Sequence, residues 1–156
     1  MKPSLAGALA ELAGNRTLWV PLATWAAVQV WKFLAELIFH RHFELGRLFA
    51  AGGMPSSHSA LVAALAMSAG MNAGFGSVPF AISTVLAMVV MYDATGIRQA
   101  AGKQAQKINK IVEELLSGHP LNDERLREIL GHTPFQVIVG AVIGLIAGWL
   151  FNLWTW

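Results

Sequence analysis

Apolar residues run in four long blocks along the chain, and polar residues are gathered at the joints between them. The blocks extend roughly from Leu18 to Phe39, Ser59 to Phe75, Val78 to Ile97 and Phe135 to Trp154. A hydrocarbon core of about 30 Å takes about 20 helical residues, so each block is long enough, or nearly so, to cross a bilayer. A fifth stretch, Leu5 to Ala13, is too short to span and suits the membrane interface or a turn back into the bundle. Between the third and fourth blocks, from Arg98 to Gly131, the pattern changes. Ile108, Ile111, Val112 and Leu115 recur at i, i+3, i+4 and i+7, which marks one face of a polar helix. Ser117-Gly118-His119-Pro120 breaks it, and Asn122 or Asp123 can cap a short second helix. The pattern predicts an all-α integral membrane bundle forming a single domain over residues 1–156. It has about four transmembrane helices, a short N-terminal helix and a polar helical insertion at about 98–131.

Composition supports lipid as the solvent. Only 13% of residues are charged, against roughly a quarter in soluble domains. Six Trp against one Tyr, with Trp154 and Trp156 at the very end, fit anchoring at a membrane interface. The absence of Cys removes disulfides and thiolate metal sites from consideration. The start of the chain lacks the basic, apolar and small-residue pattern of a signal peptide, so the N-terminus is expected to be retained. A formal net charge of +2, with basic residues lying between apolar spans, argues against nucleic acid and for membrane lipids as partners.

Charge also orients the bundle. The connection from His40 to Ala51 holds Arg41 and Arg47, and the insertion holds Arg98, Lys103, Lys107, Lys110, Arg125 and Arg127. The hairpin from Met71 to Pro79 holds no charge. The positive-inside rule then makes both basic segments cytoplasmic in the cell (inner) membrane, with the hairpin and both chain ends outside. On this topology Lys32, His58, Asp93, Arg98 and His132 all fall on the cytoplasmic face, each near a helix end.

Several of these residues suit phosphate chemistry. Gly52-Gly53-Met54-Pro55-Ser56-Ser57-His58-Ser59 is a glycine-led turn feeding an apolar helix. Ser56 or Ser57 can cap that helix, and the N–H groups of its first turn can bind an anion. A histidine at the mouth of a membrane span is costly unless satisfied, which makes His58 a candidate site residue. Gly131-His132-Thr133-Pro134 repeats the arrangement at the last span, with Thr133 able to cap and Pro134 able to occupy the first turn. His132 there is either a water-facing neighbour of the cap or a second site histidine. Asp93 suits a structural pair or the orientation of one histidine. The Arg98 fork can clamp phosphate oxygens. Lys32 can bind phosphate or snorkel to the interface, and Lys103 and Arg47 are weaker candidates of the same kind. His40, His42 and His119 read as surface residues. Neither a metal site nor a cofactor is expected, because the two histidines and the aspartate lack a local ligand spacing. Gly140, Gly144 and Gly148 form a smooth helical stripe for close packing, either within the subunit or in a homo-oligomer.

Three segments together resemble the small divergent branch of the phosphatidic acid phosphatase type 2 and vanadium haloperoxidase superfamily. They are Gly-Gly-Met-Pro-Ser-Ser-His-Ser at 52–59, Tyr-Asp-Ala-Thr-Gly-Ile-Arg-Gln-Ala-Ala-Gly-Lys-Gln-Ala at 92–105 and Leu-Gly-His-Thr-Pro at 130–134. The resemblance implies metal-free hydrolysis of a lipid phosphate or diphosphate through a phosphohistidine. It makes His132 the nucleophile, His58 the general acid and Lys32 the lysine of the first motif. Ser56, Ser57, Arg98 and Lys103 would hold phosphate oxygens. Ser57 stands where the superfamily motif has glycine, and Gln136 stands four residues after His132 where it usually has aspartate. Asp93 is the carboxylate available to replace it. The other reading from the same residues is a non-catalytic membrane protein that binds an anionic headgroup or a partner protein.

Overall fold

The computed structural model describes residues 4–40, 54–115 and 131–154. Among these the chain forms six helices and no strand: α1 (Leu5–Ala13), α2 (Arg16–His40), α3 (Ser57–Ala73), α4 (Val78–Thr95), α5 (Ile97–Leu115) and α6 (Pro134–Trp154). The basic connection with Arg41, His42, Arg47 and the Gly52-Gly53 pair lies outside the described residues, as does 116–130 with His119 and the expected second helix.

Each apolar block becomes a helix because a polar side chain starts it. Asn15 Oδ1 accepts from the Leu18 amide at 3.2 Å, so α2 opens two residues earlier than the hydrophobic pattern alone suggests. Ser56 caps α3 and Ser77 caps α4, each accepting the amide three residues on. Gly74, at φ 93°, turns the chain out of α3 into the hairpin, in a region that side chains with a Cβ rarely adopt.

The bundle is small inside and large outside. α3 is its centre and packs on α2, α4 and α6. Its buried residues are Ala60, Ala63, Ala64, Ala66, Ala69 and the serines 57, 59 and 68, with Val62 and Gly70. Large side chains such as Ile82, Val85, Val89, Ile138, Ile146 and Leu150 point outward. A soluble core would reverse this arrangement. In lipid, helices gain little from burying large apolar groups, and close backbone approach drives their packing instead.

The glycine stripe gives that approach its clearest form. A Cβ at Gly140 would collide with the Ser56 carbonyl and one at Gly144 with the Ala60 carbonyl. At Gly148 it would lie 3.0 Å from the Ala64 carbonyl oxygen. Of the two uses expected for the stripe, the fold displays the one within the subunit: α3 of the same chain lies against it.

Among the described residues, three helical stretches are long and apolar enough to cross a membrane: Arg16–Ile38, Val78–Glu113 and Pro134–Trp154. The remaining block, the second in chain order, is α3, which has 17 residues and is enclosed by the others. The expected polar insertion begins almost without interruption from α4, since only Gly96 separates the two helices. Among the described elements, α5 touches α4 alone.

At the hairpin end an amide network ties three helices together. Asn72 Nδ2 donates to Asn152 Oδ1 at 2.9 Å and to the Ser68 carbonyl at 2.8 Å, with Thr17 Oγ1 at 3.2 Å. Asn152 Nδ2 donates in turn to Ser68 Oγ at 2.9 Å and to the Gly148 carbonyl at 2.6 Å. Such bonds satisfy groups that lipid cannot. α1 is held from outside this core by the Trp19 indole N–H, which donates to the Leu12 carbonyl at 2.9 Å.

Candidate functional site

The two histidine-bearing helix starts meet at the opposite end from the amide network. Ser56, the cap of α3, donates its backbone N–H to the Gln136 carbonyl at 3.2 Å, in the first turn of α6. Its hydroxyl oxygen accepts the Ser59 amide at 3.3 Å and the Ser59 hydroxyl at 3.0 Å. Ser56, Ser57 and Ser59 are all buried. Of the two serines that could cap, Ser56 does so, and Ser57 begins the helix. His58, the next residue, is exposed at the rim.

α6 starts with a reciprocal cap. The Gln136 amide donates to Thr133 Oγ1 at 3.3 Å, and the Thr133 amide donates to Gln136 Oε1 at 3.0 Å. This is a capping box, with Pro134 at the first helical position as expected. The same Gln136 Oε1 lies 3.2 Å from His132 Nδ1. Because that oxygen already accepts an N–H from Thr133, it is an acceptor toward the ring as well, and Nδ1 is the donor. The neutral imidazole therefore carries its lone pair on Nε2. A glutamine at the position where the superfamily usually has aspartate fixes the ring orientation without adding a charge.

Backbone bonding draws α4 into the same place. His132 donates its main-chain N–H to the Ala94 carbonyl at 3.2 Å, one residue beyond the half-buried Asp93. The imidazole of His132 is buried, with 7% of the residue exposed.

Lys32 reaches this level by helix register. Thr17 faces Asn72 at the hairpin end. Fifteen residues on from Thr17 is Lys32, and fifteen back from Asn72 is Ser57, so each path covers about 22 Å in opposite chain directions. Lys32 is half-buried and donates to Gln29 Oε1 at 3.4 Å. Arg98 sits in the first turn of α5 and is described by its backbone alone. Lys103 is exposed on α5, away from α2, α3 and α6. The described structure thus joins Ser56, Ser57, His58, the Asp93–Ala94 turn, His132 and Gln136. It sets Lys32 at their depth and leaves Lys103 apart.

A family model described as the divergent PAP2 family matches residues 13–147 of this chain. The chain belongs to the divergent PAP2 family. The resemblance carried by the three motifs is borne out at that level. This member of the family is also 35% identical over 147 residues to a relative from Bacillus subtilis (strain 168) named Uncharacterized membrane protein YuiD. The alignment covers 87% of this chain and 93% of that protein. No solved structure matches the chain. Family membership and the apolar helices together make it a PAP2-related membrane protein.

Two features of the site escaped the sequence reading. Ser59 looked like the tail of a motif but shares the Ser56 hydroxyl inside the bundle. Gln29 is buried beside Lys32. Its position three residues before a membrane lysine, one helical turn away, was the available signal.

Proposed function

We propose that this divergent PAP2 protein is a membrane phosphatase that hydrolyses a lipid phosphate or diphosphate from the cytoplasmic face, with four helices crossing the bilayer. The observation that carries this reading is the joining of two helix starts, each bearing a histidine, by the Ser56–Gln136 backbone bond. Helix N-termini favour anions through their N–H groups and dipoles, and phosphoryl transfer depends above all on positioning and charge stabilisation.

The chemistry follows from the two ring environments. His132, held by Gln136 through Nδ1, attacks phosphorus with its Nε2 lone pair while the bond to the lipid oxygen breaks. His58, exposed at the rim, gives its proton to that leaving oxygen. Water then cleaves the phosphorus–nitrogen bond, passing its proton to His58 and releasing phosphate. Asp93 orients a histidine, and Lys32, Ser56, Ser57 and Arg98 hold oxygens of the bound group, while Lys103, apart on α5, drops out of the expected set. Phosphate release by the purified protein from a panel of lipid phosphates, with chelator present, tests this. Turnover is expected on at least one member of the panel and is expected to survive the chelator.

The burial of His132 favours a second reading, in which the same helix starts hold an anionic phospholipid headgroup without turnover. Stoichiometric binding of a phospholipid by folded protein that releases no phosphate would select it.

A further inference from the structure

Between α4 and α6, on the side of α3 facing away from α2, lies a cavity of about 260 Å³. Its α4 wall is Phe80, Thr84, Ala87, Met88 and Met91, spaced i, i+4, i+7, i+8 and i+11 as one helical face. Ala63, Ala66 and Met67 of α3 form the floor, and Ala141 and Leu145 of α6 the other wall. The space exists because α3 presents alanines here, so that α4 and α6 stand apart across it. Its lining is almost wholly apolar.

The two ends differ. Toward the hairpin the groove is closed by Phe75 and Phe80, whose rings meet edge to face with centroids 5.2 Å apart. Gly70 makes this stopper possible, since a Cβ there would collide with the Phe75 ring. Toward the histidines no ring pair of this kind is found among the described residues. Met91 is two residues from Asp93, Ala63 is five from His58 and Ala141 is five from Gln136. From Phe80 to Met91 the α4 wall is about 16 Å long, close to the depth of one leaflet of a hydrocarbon core of about 30 Å.

We infer that this groove holds one hydrocarbon chain of a lipid phosphate whose phosphate lies at the His58 and His132 helix starts. The inference rests on the phosphate-site reading for the headgroup alone. A chain leaving lipid for this groove gains little hydrophobic free energy, because both surroundings are apolar. The groove therefore selects by length and position. A chain that reaches from the histidines to the Phe75–Phe80 pair fits, and a longer one must bend out into the bilayer. The soft, adaptable Met67, Met88 and Met91 suit a flexible ligand.

The test is photo-crosslinking of the whole protein in nanodiscs with a dodecyl phosphate carrying a diazirine at its terminal carbon. Label is expected on the Gly70–Phe80 hairpin and is expected to be displaced by dodecyl phosphate but not by dodecanol. Phe80→Ala opens the stopper and should move the label away from the hairpin toward the bilayer-facing residues. Label spread over outward residues such as Ile82 and Leu150, unaffected by competing phosphate, would mean annular lipid only and would overturn the inference. Cross-linking of two copies through a cysteine placed at Met88, in place of lipid labelling, would give the groove to a second subunit. Hairpin labelling of protein that releases no phosphate would keep the groove and remove the phosphatase. Phosphate release with dispersed labelling would do the reverse.

Discussion

The Ser56 N–H bonded to the Gln136 carbonyl at 3.2 Å joins the caps of two helices that are far apart in sequence. The bond can form because Gly140, one turn further along α6, lets the Ser56 carbonyl come into contact with the α6 backbone. The close packing of small residues and the placement of the two histidines are therefore one structural feature.

That dependence predicts a large effect from a small substitution. Gly144→Val puts side-chain atoms where the Ala60 carbonyl lies and forces α6 away from α3. Overpacking of this kind costs about 1–3 kcal/mol. Thermal unfolding in detergent should show a clear loss, larger than that from Ile146→Val on the outward side of the same helix.

The amide network at the other end should behave as a coupled unit. Asn72→Ala and Asn152→Ala each remove part of the Asn72–Asn152–Ser68 bonding. Interhelical hydrogen bonds in membranes contribute about 0.6 kcal/mol on average and up to about 2. A double-mutant cycle on unfolding should give a coupling of that size, while phosphate release per folded molecule stays unchanged.

Much of this was legible in the sequence, for identifiable reasons. Apolar blocks and their caps are local signals, and Leu5–Ala13, Ser56 and Thr133–Pro134 appear in the fold where those signals put them. The spacing of Gly140, Gly144 and Gly148 gave the stripe, although not the helix it faces. The amide network was invisible because it pairs residues such as Ser68 and Asn152 across the bundle, and no local spacing reports that. Apolarity in α3 also did not say that it would be the enclosed centre. Its alanines and serines carry that information, through their size rather than their polarity.

Thr133 and Gln136 separate stability from chemistry. Either alanine variant breaks the capping box, at a cost of about 1 kcal/mol. Only Gln136→Ala also releases His132 Nδ1. Turnover per folded molecule should fall in Gln136→Ala and persist in Thr133→Ala. Equal losses in both would reduce Gln136 to a capping role.

Topology is open to a direct check because the chain has no native cysteine. A cysteine placed at Gly74, in the hairpin between α3 and α4, should react with an impermeant maleimide from outside the cell. One placed at Lys107 on α5 should react only after the membrane is opened. The reverse pattern would move the histidine end to the outer face.

The central claim is that His132 forms a bond to phosphorus. Protein given a lipid phosphate labelled in its phosphoryl group, then quenched in alkali, should retain acid-labile label on His132 and lose it in His132→Gln. His132→Gln protein that still releases phosphate at the wild-type rate would contradict the account.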